Sequence, residues 1–178
     1  MKKIILNRDA PALRKIALEV PIKAIGTKKI QNILNKMKGA LDKEDDGVAI
    51  AAPQIGESLR IFVVSGRTLS LIKNGDAVIK DKNKSDDIVF INPVLTKLSK
   101  SKKKMEEGCL SVRWLYGQVE RSEKATIEAY DENGKKFIKG ASGLMAQIFQ
   151  HEVDHLNGVL FIDKATNVEN IPPKKENE

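Results

Sequence analysis

The sequence predicts an α+β fold, with antiparallel β-sheets around a central C-terminal helix and an amphipathic helix near the N-terminus. Three observations predict it. β-rich runs fill the middle of the chain and helix-period segments lie toward its ends, so strands and helices are segregated rather than alternating. "DENG" at 131–134 reads as a hairpin turn between "ATIEAYD" and "KKFIKG", and a hairpin makes its strands antiparallel. The last helical segment is apolar over more than one stripe, as an enclosed helix is.

Each element follows from its pattern. "MKKIILN" reads as an opening strand. In "TKKIQNILNKMKGALDKEDD" the residues Ile30, Ile33, Leu34, Met37 and Leu41 recur at helical spacing, with Thr27 as candidate N-cap. "GVAIAA", "LRIFVVS" and "DIVFINP" read as strands. Residues 67–87 read as a polar, loop-rich excursion with a turn at Asn74-Gly75. The lysine runs "KDKNK" (80–84) and "KLSKSKKK" (97–104) read as solvated loops, the alternative being a weak ribosome or RNA contact. "SGLMAQIFQHEVDHLNG" is the final helix, carrying Leu144, Met145, Ile148, Phe149, Val153 and Leu156, with Gly158 as its terminator. Residues 1–165 are expected to make one domain, and 166–178 to be a polar, disordered tail.

Composition excludes several classes. No apolar run approaches the ~20 residues that span a bilayer, and the first residues lack a secretory apolar stretch. A single cysteine, Cys109, rules out an internal disulfide and points to a reducing cytoplasm. The net charge is +7, but aromatic residues are only 4% and no base-stacking platform is visible, which argues against sequence-specific nucleic-acid binding. A monomer is expected.

The chemistry centres on "QHEVDHLNG" at 150–158, which holds both histidines of the chain. On a helix His151 and His155 share one face and can share a divalent metal, with Glu152 beside them as a general base for water. Two helix histidines satisfied by hydrogen bonds would read the same way. Cys109, in "MEEGCLSV", is the candidate third ligand, and a His2Cys set leaves a position open for reaction. A lone cysteine packed as a small hydrophobe is the alternative. In "GVAIAAPQIG", small residues allow close backbone approach and Gln54 offers an amide to a developing oxyanion. A tight buried strand before a turn would explain that stretch equally.

Taken together and in this order, "GVAIAAPQ", "EGCLS" and "QHEVDHLNG" resemble the bacterial-type peptide deformylase family. The resemblance runs from "DAPALRKIALEV" through "FINPVL" and "YDENGKK" to "GVLFIDK". It implies that Cys109, His151 and His155 bind one catalytic metal, Fe(II) in the cell, with zinc, nickel or cobalt as substitutes. Glu152 would move the proton of the attacking water, and Gln54 and the backbone N–H of Leu110 would hold the oxyanion. The substrate would be an N-formylmethionyl nascent peptide bound as an added strand near Val48, Ala49 and Gly108, its methionine side chain against Leu144 and Ile148. Glu107, Arg121 and Gln150 are candidates to support the ligands. A metallopeptidase with a cysteine ligand and a silent chain-binding relative are the rival readings.

The chain departs from the family pattern at Ala49, where a second glycine is usual, and at Arg113-Trp114, where Pro-Gly or similar is usual. If position 49 needs positive φ, alanine there is strained. The polar excursion is also longer than usual, and the short tail offers no long helix for docking on a ribosome.

Overall fold

The structure, a computed structural model, describes residues 4–74 and 86–173. Helix α1 (Lys28–Leu41) is followed by strands β1 (Ala49–Ala51) and β2 (Ile61–Val64), helix α2 (Gly66–Asn74) and strand β3 (Ile88–Leu98). Strands β4 (Lys102–Gly108), β5 (Leu115–Ser122), β6 (Lys124–Tyr130) and β7 (Lys136–Ser142) follow, then helix α3 (Gly143–Leu156) and strand β8 (Thr166–Asn170). The strands form two sheets, one in the order β1-β2-β3-β6-β7 and one in the order β4-β5-β8, and every pairing is antiparallel.

The larger sheet is covered on both faces, which is why its inner strands read as unbroken apolar runs. Along β2, Ile61 and Val63 point to α1, where Ile30, Ile33, Leu34, Met37 and Leu41 are buried against them. Phe62 and Val64 point the other way, toward Phe149, Met145 and Leu156 of α3. Phe62 stacks on Phe90 with ring centroids 4.4 Å apart, and Phe149 meets Phe90 edge-on at 5.3 Å. A smaller cluster of Leu13, Val112, Val119, Leu160 and Phe161 backs the second sheet. Helix α3 packs on β1, β3, β5, β6 and β7 and so touches both sheets. It stops where Gly158 takes φ +74°, and a Cβ there would sit 2.8 Å from the backbone of Arg14.

Several expectations are corrected. Residues 4–7 form no strand; the Leu6 N–H instead donates to the Gln54 carbonyl at 2.8 Å. Thr27 stands at the N-cap, but its hydroxyl donates to the Ala24 carbonyl and caps nothing. The excursion begins with a helix, α2, anchored because the Gly66 N–H donates to Asp87 and the Ser70 hydroxyl to the Gly66 carbonyl. The expected turn at Gly75 and the lysines at 80–84 lie outside the described residues. The lysine run 97–104 is mostly strand, with a loop only at 99–101: it ends β3 and begins β4, and the ladder with β5 pairs Lys102 with Ser122 and Lys104 with Glu120. Residues 166–170 belong to the fold as β8, pairing with β5 although all five are exposed. Main-chain hydrogen bonds, which composition does not reveal, hold them there.

Candidate active site

Three elements converge between the sheets. β1 and β4 are edge strands of different sheets, and α3 runs beneath the gap between them. A cavity of about 300 Å³ opens there. Val48, Ala49, Gln54, Gly108, Cys109, Leu110, Leu144, Ile148, His151 and Glu152 all line it, and His155 lies just below, 1% exposed. Ala49 of β1 is paired with Val64 of β2 and is absent from the positive-φ residues, so its methyl is unstrained and forms wall. Gly108 is required: a Cβ there would lie 2.7 Å from the Tyr116 ring across the ladder.

Helical spacing places His151 and His155 one turn apart, with ring centroids 5.0 Å from each other. Cys109, just past the end of β4, brings Sγ to 3.2 Å from His155 Nε2. One ligand atom from each of the three residues lies within 4.8 Å of the others. Burial opposes ionisation of the Cys109 thiol, but the imidazoles of His155 and His151 outweigh it and bring its pKa down to about 5. A thiolate beside two imidazoles is the donor set of a soft or borderline divalent cation. Burial likewise opposes charge on His151, and hydrogen bonds with Cys109 and Glu107 raise its pKa well above the ordinary value.

The ligands are braced from behind. His151 Nδ1 lies 2.9 Å from Glu107, which leaves Nε2 for the cavity side. Arg121 holds both oxygens of Glu107, at 2.7 and 3.0 Å, and its other amino group reaches Asp154 at 2.6 Å. Burial would raise the Glu107 carboxyl, but the hydrogen bonds from His151 and Arg121 bring it down to about 2. Gln54 is fixed by its own turn: Oε1 accepts from the Ala51 N–H at 2.8 Å, so Nε2 faces Cys109 and Ser111 at 3.6 and 3.2 Å. Gln150 is not brought to the ligands; it accepts from the Ser122 N–H and donates to the Ser122 and Ala146 carbonyls, tying α3 to β5.

Glu152 differs from its neighbours. It is 4% exposed, and its Oε2 has no hydrogen-bond partner among the described residues. Burial raises its carboxyl above the ordinary value despite the two nearby imidazoles. A buried acceptor of this kind requires a donor the protein does not supply, such as water or substrate. His155 Nδ1 is similarly without a partner. These orphaned atoms and the converging donors fit an occupied metal and water site.

Residues 1–170 match the profile of the polypeptide deformylase family. The chain belongs to the polypeptide deformylase family. Its members are metalloenzymes that remove the N-formyl group from newly made polypeptides. Over 159 residues it is 38% identical to a peptide deformylase of Psychrobacter cryohalolentis, covering 89% of this chain and 77% of that one. It is 37% identical to one of Desulforudis audaxviator, covering 92% and 89%, and 37% identical to the plant peptide deformylase 1A of Arabidopsis thaliana, covering 92% of this chain and 61% of that longer one. Among solved structures, a class I type b deformylase of Acinetobacter baumannii superposes with TM-score 0.78 at 30% identity, covering 92% and 99% of the two chains. One of Legionella pneumophila gives 0.74 at 37% identity, covering 92% and 85%.

Ser111, Asp154, Asp46, Tyr116 and Gln147 join the site although the sequence assigned none of them a role. Ser111 and Asp154 hold Gln54 and Arg121; the other three line the cavity. "EGCLS" was the available signal for Ser111. Asp46, Tyr116 and Gln147 carry no local signature.

Proposed function

We propose that this chain hydrolyses the formamide of N-formylmethionyl peptides to formate and a free amino terminus, with Cys109, His151 and His155 holding one metal ion. Fe(II) is the ion assigned in the cell, with zinc, nickel or cobalt able to substitute; the mixed thiolate and imidazole donors support this. When bound, that ion supplies Lewis-acid activation of water and of the formyl oxygen. The observation that carries the reading is the unpartnered, buried Glu152 carboxylate beside the three donors.

The protein's own groups account for the remaining steps. Glu152 takes the proton of the attacking water and delivers it to the departing amine, a task suited to a carboxylate with raised pKa. Gln54 Nε2, pre-aimed by Ala51, and the Leu110 N–H stabilise the oxyanion of the tetrahedral species. The free edge of β1 at Ala49, with Val48 just before it, and that of β4 at Gly108 receive the peptide as a strand. Ile148, 5% exposed, and Leu144, 45% exposed, give the methionine side chain an apolar wall.

All these groups come from one chain, which supports a monomer as the working unit. Among the described residues, no helix is long and apolar enough to cross a membrane. A cytoplasmic site of action beside nascent chains fits this, and the exposed Lys100, Lys102, Lys103 and Lys104 support a weak ribosome contact. Formate release from a formyl-Met peptide, assayed beside cleavage of the same peptide unformylated, tests the assignment. Formate release without peptide-bond cleavage is expected; cleavage of the free peptide would make the chain a metallopeptidase instead.

A further inference from the structure

Arg113 and Trp114 occupy one lip of the cavity, and Asp46 occupies the other. The lips are joined. Arg113 Nη2 reaches Glu44 at 2.6 Å and Asp46 at 3.0 Å, and Nη1 also pairs with Asp46. The guanidinium lies 4.9 Å from the centre of the Trp114 ring. The acidic lip is held from behind, because Arg67 donates to the carbonyls of Leu41 and Glu44 at 3.1 and 2.9 Å.

The charges in this cluster do not balance. Two carboxylates share one guanidinium, and the partners differ in exposure. The Arg113 side chain is 17% exposed and Asp46 is 55% exposed, so the mouth presents carboxylate to solvent and keeps the cation underneath. Arg113 is the only arginine or lysine among the described residues lining the cavity, and Glu106 adds a further exposed carboxylate. Asp46 stays ionised because its hydrogen bond with Arg113 holds the carboxyl below the usual range. The chain as a whole is strongly basic, so this acidic mouth runs against the global charge.

We propose that the Glu44–Asp46–Arg113 cluster makes the mouth of the cavity a cation-selective recognition site, favouring formylated peptides with lysine or arginine soon after the first residue over those with aspartate or glutamate. This rests on the deformylase reading above for the direction in which the peptide leaves the metal site. Arg113 sets the strength of the selection: three of its hydrogen bonds go to Glu44 and Asp46, so it neutralises part of the acidic pair and is turned toward those carboxylates rather than toward an incoming anion.

The test compares formyl-Met-Ala-Lys amide with formyl-Met-Ala-Glu amide on the metal-loaded enzyme. The expected kcat/KM ratio is about three- to tenfold in favour of the lysine peptide, shrinking as salt is raised. Asp46→Asn should move the ratio toward one, and Arg113→Gln should increase it. A bridge that merely holds the lips together would shift both variants in the same direction. A wild-type ratio of one or less, or two variants moving together, overturns the proposal. Trp114 is the single tryptophan of the chain, so quenching of its fluorescence by the unformylated Met-Ala-Lys and Met-Ala-Glu amides gives the same ratio as relative affinities without any turnover. A lysine preference there with no formate release would contradict the deformylase reading and leave the selective mouth standing; equal affinities with normal formate release would do the reverse.

Discussion

Glu107 and Glu152 flank the same histidine and are equally buried, each 4% exposed, yet their surroundings drive them in opposite directions. Glu107 has Arg121 on both oxygens and His151 beside one, and its pKa falls to about 2. Glu152 has an oxygen with no partner among the described residues, and burial raises its pKa. Residue type and solvent exposure are the same; what separates them is that hydrogen bonds outweigh burial at Glu107 and do not at Glu152. The saturated carboxylate is a fixed brace that aims a ligand. The unsaturated one is held ready to exchange a proton, which is unfavourable for the fold and useful for chemistry.

The comparison can be broken at either residue. The largest effect belongs to Glu152→Gln, which should lower formate release by about 10²–10⁴-fold, as loss of a general acid–base does; steady-state kinetics at saturating peptide would show it. Arg121→Met leaves Glu107 and Asp154 without their buried cation and should cost about 3–5 kcal/mol in unfolding free energy, read from the urea midpoint. Glu107→Gln weakens the brace on His151 and should lower metal affinity by about 10–100-fold, measured by competition with a chelator. The smallest effect has the opposite sign. Glu152→Gln removes a buried carboxyl whose Oε2 has no partner among the described residues and should stabilise the metal-free protein by about 1 kcal/mol at neutral pH.

The two acids should also oppose each other in pH dependence. Glu107 is depressed in the folded state, from 4.5 to about 2, so its stabilisation is complete above about pH 4.5 and disappears as pH falls toward 2. Glu152 is raised, so its contribution is greatest below about pH 4.5 and is lost as pH rises through the elevated value. Urea midpoints of Glu107→Gln and Glu152→Gln across this range should bend away from the wild type in opposite senses.

Helices α1 and α3 were legible in the sequence because their apolar spacing records the face they bury. The three donors were legible because two are one helical turn apart and the third lies in a short motif. Strands β4 and β8 were not, since all of β8 and four of the seven residues of β4 are exposed, neither has an alternating apolar pattern, and their identity lies in the pairing with β5. Arg113 drew attention as an unusual residue, but its partners Glu44 and Asp46 lie 69 and 67 positions away, and no local pattern announces a contact at that separation. Whether position 49 needs positive φ is a backbone property that the motif does not reveal; Ala49 is ordinary strand.

The division of labour between donors and acid can be tested on paired samples purified without oxygen, by measuring metal content and formate release together for Glu152→Ala and Cys109→Ala. The account predicts that Glu152→Ala keeps its metal and loses turnover, while Cys109→Ala loses the metal itself. Near-normal formate release from Glu152→Ala, or full metal occupancy in Cys109→Ala, would contradict it.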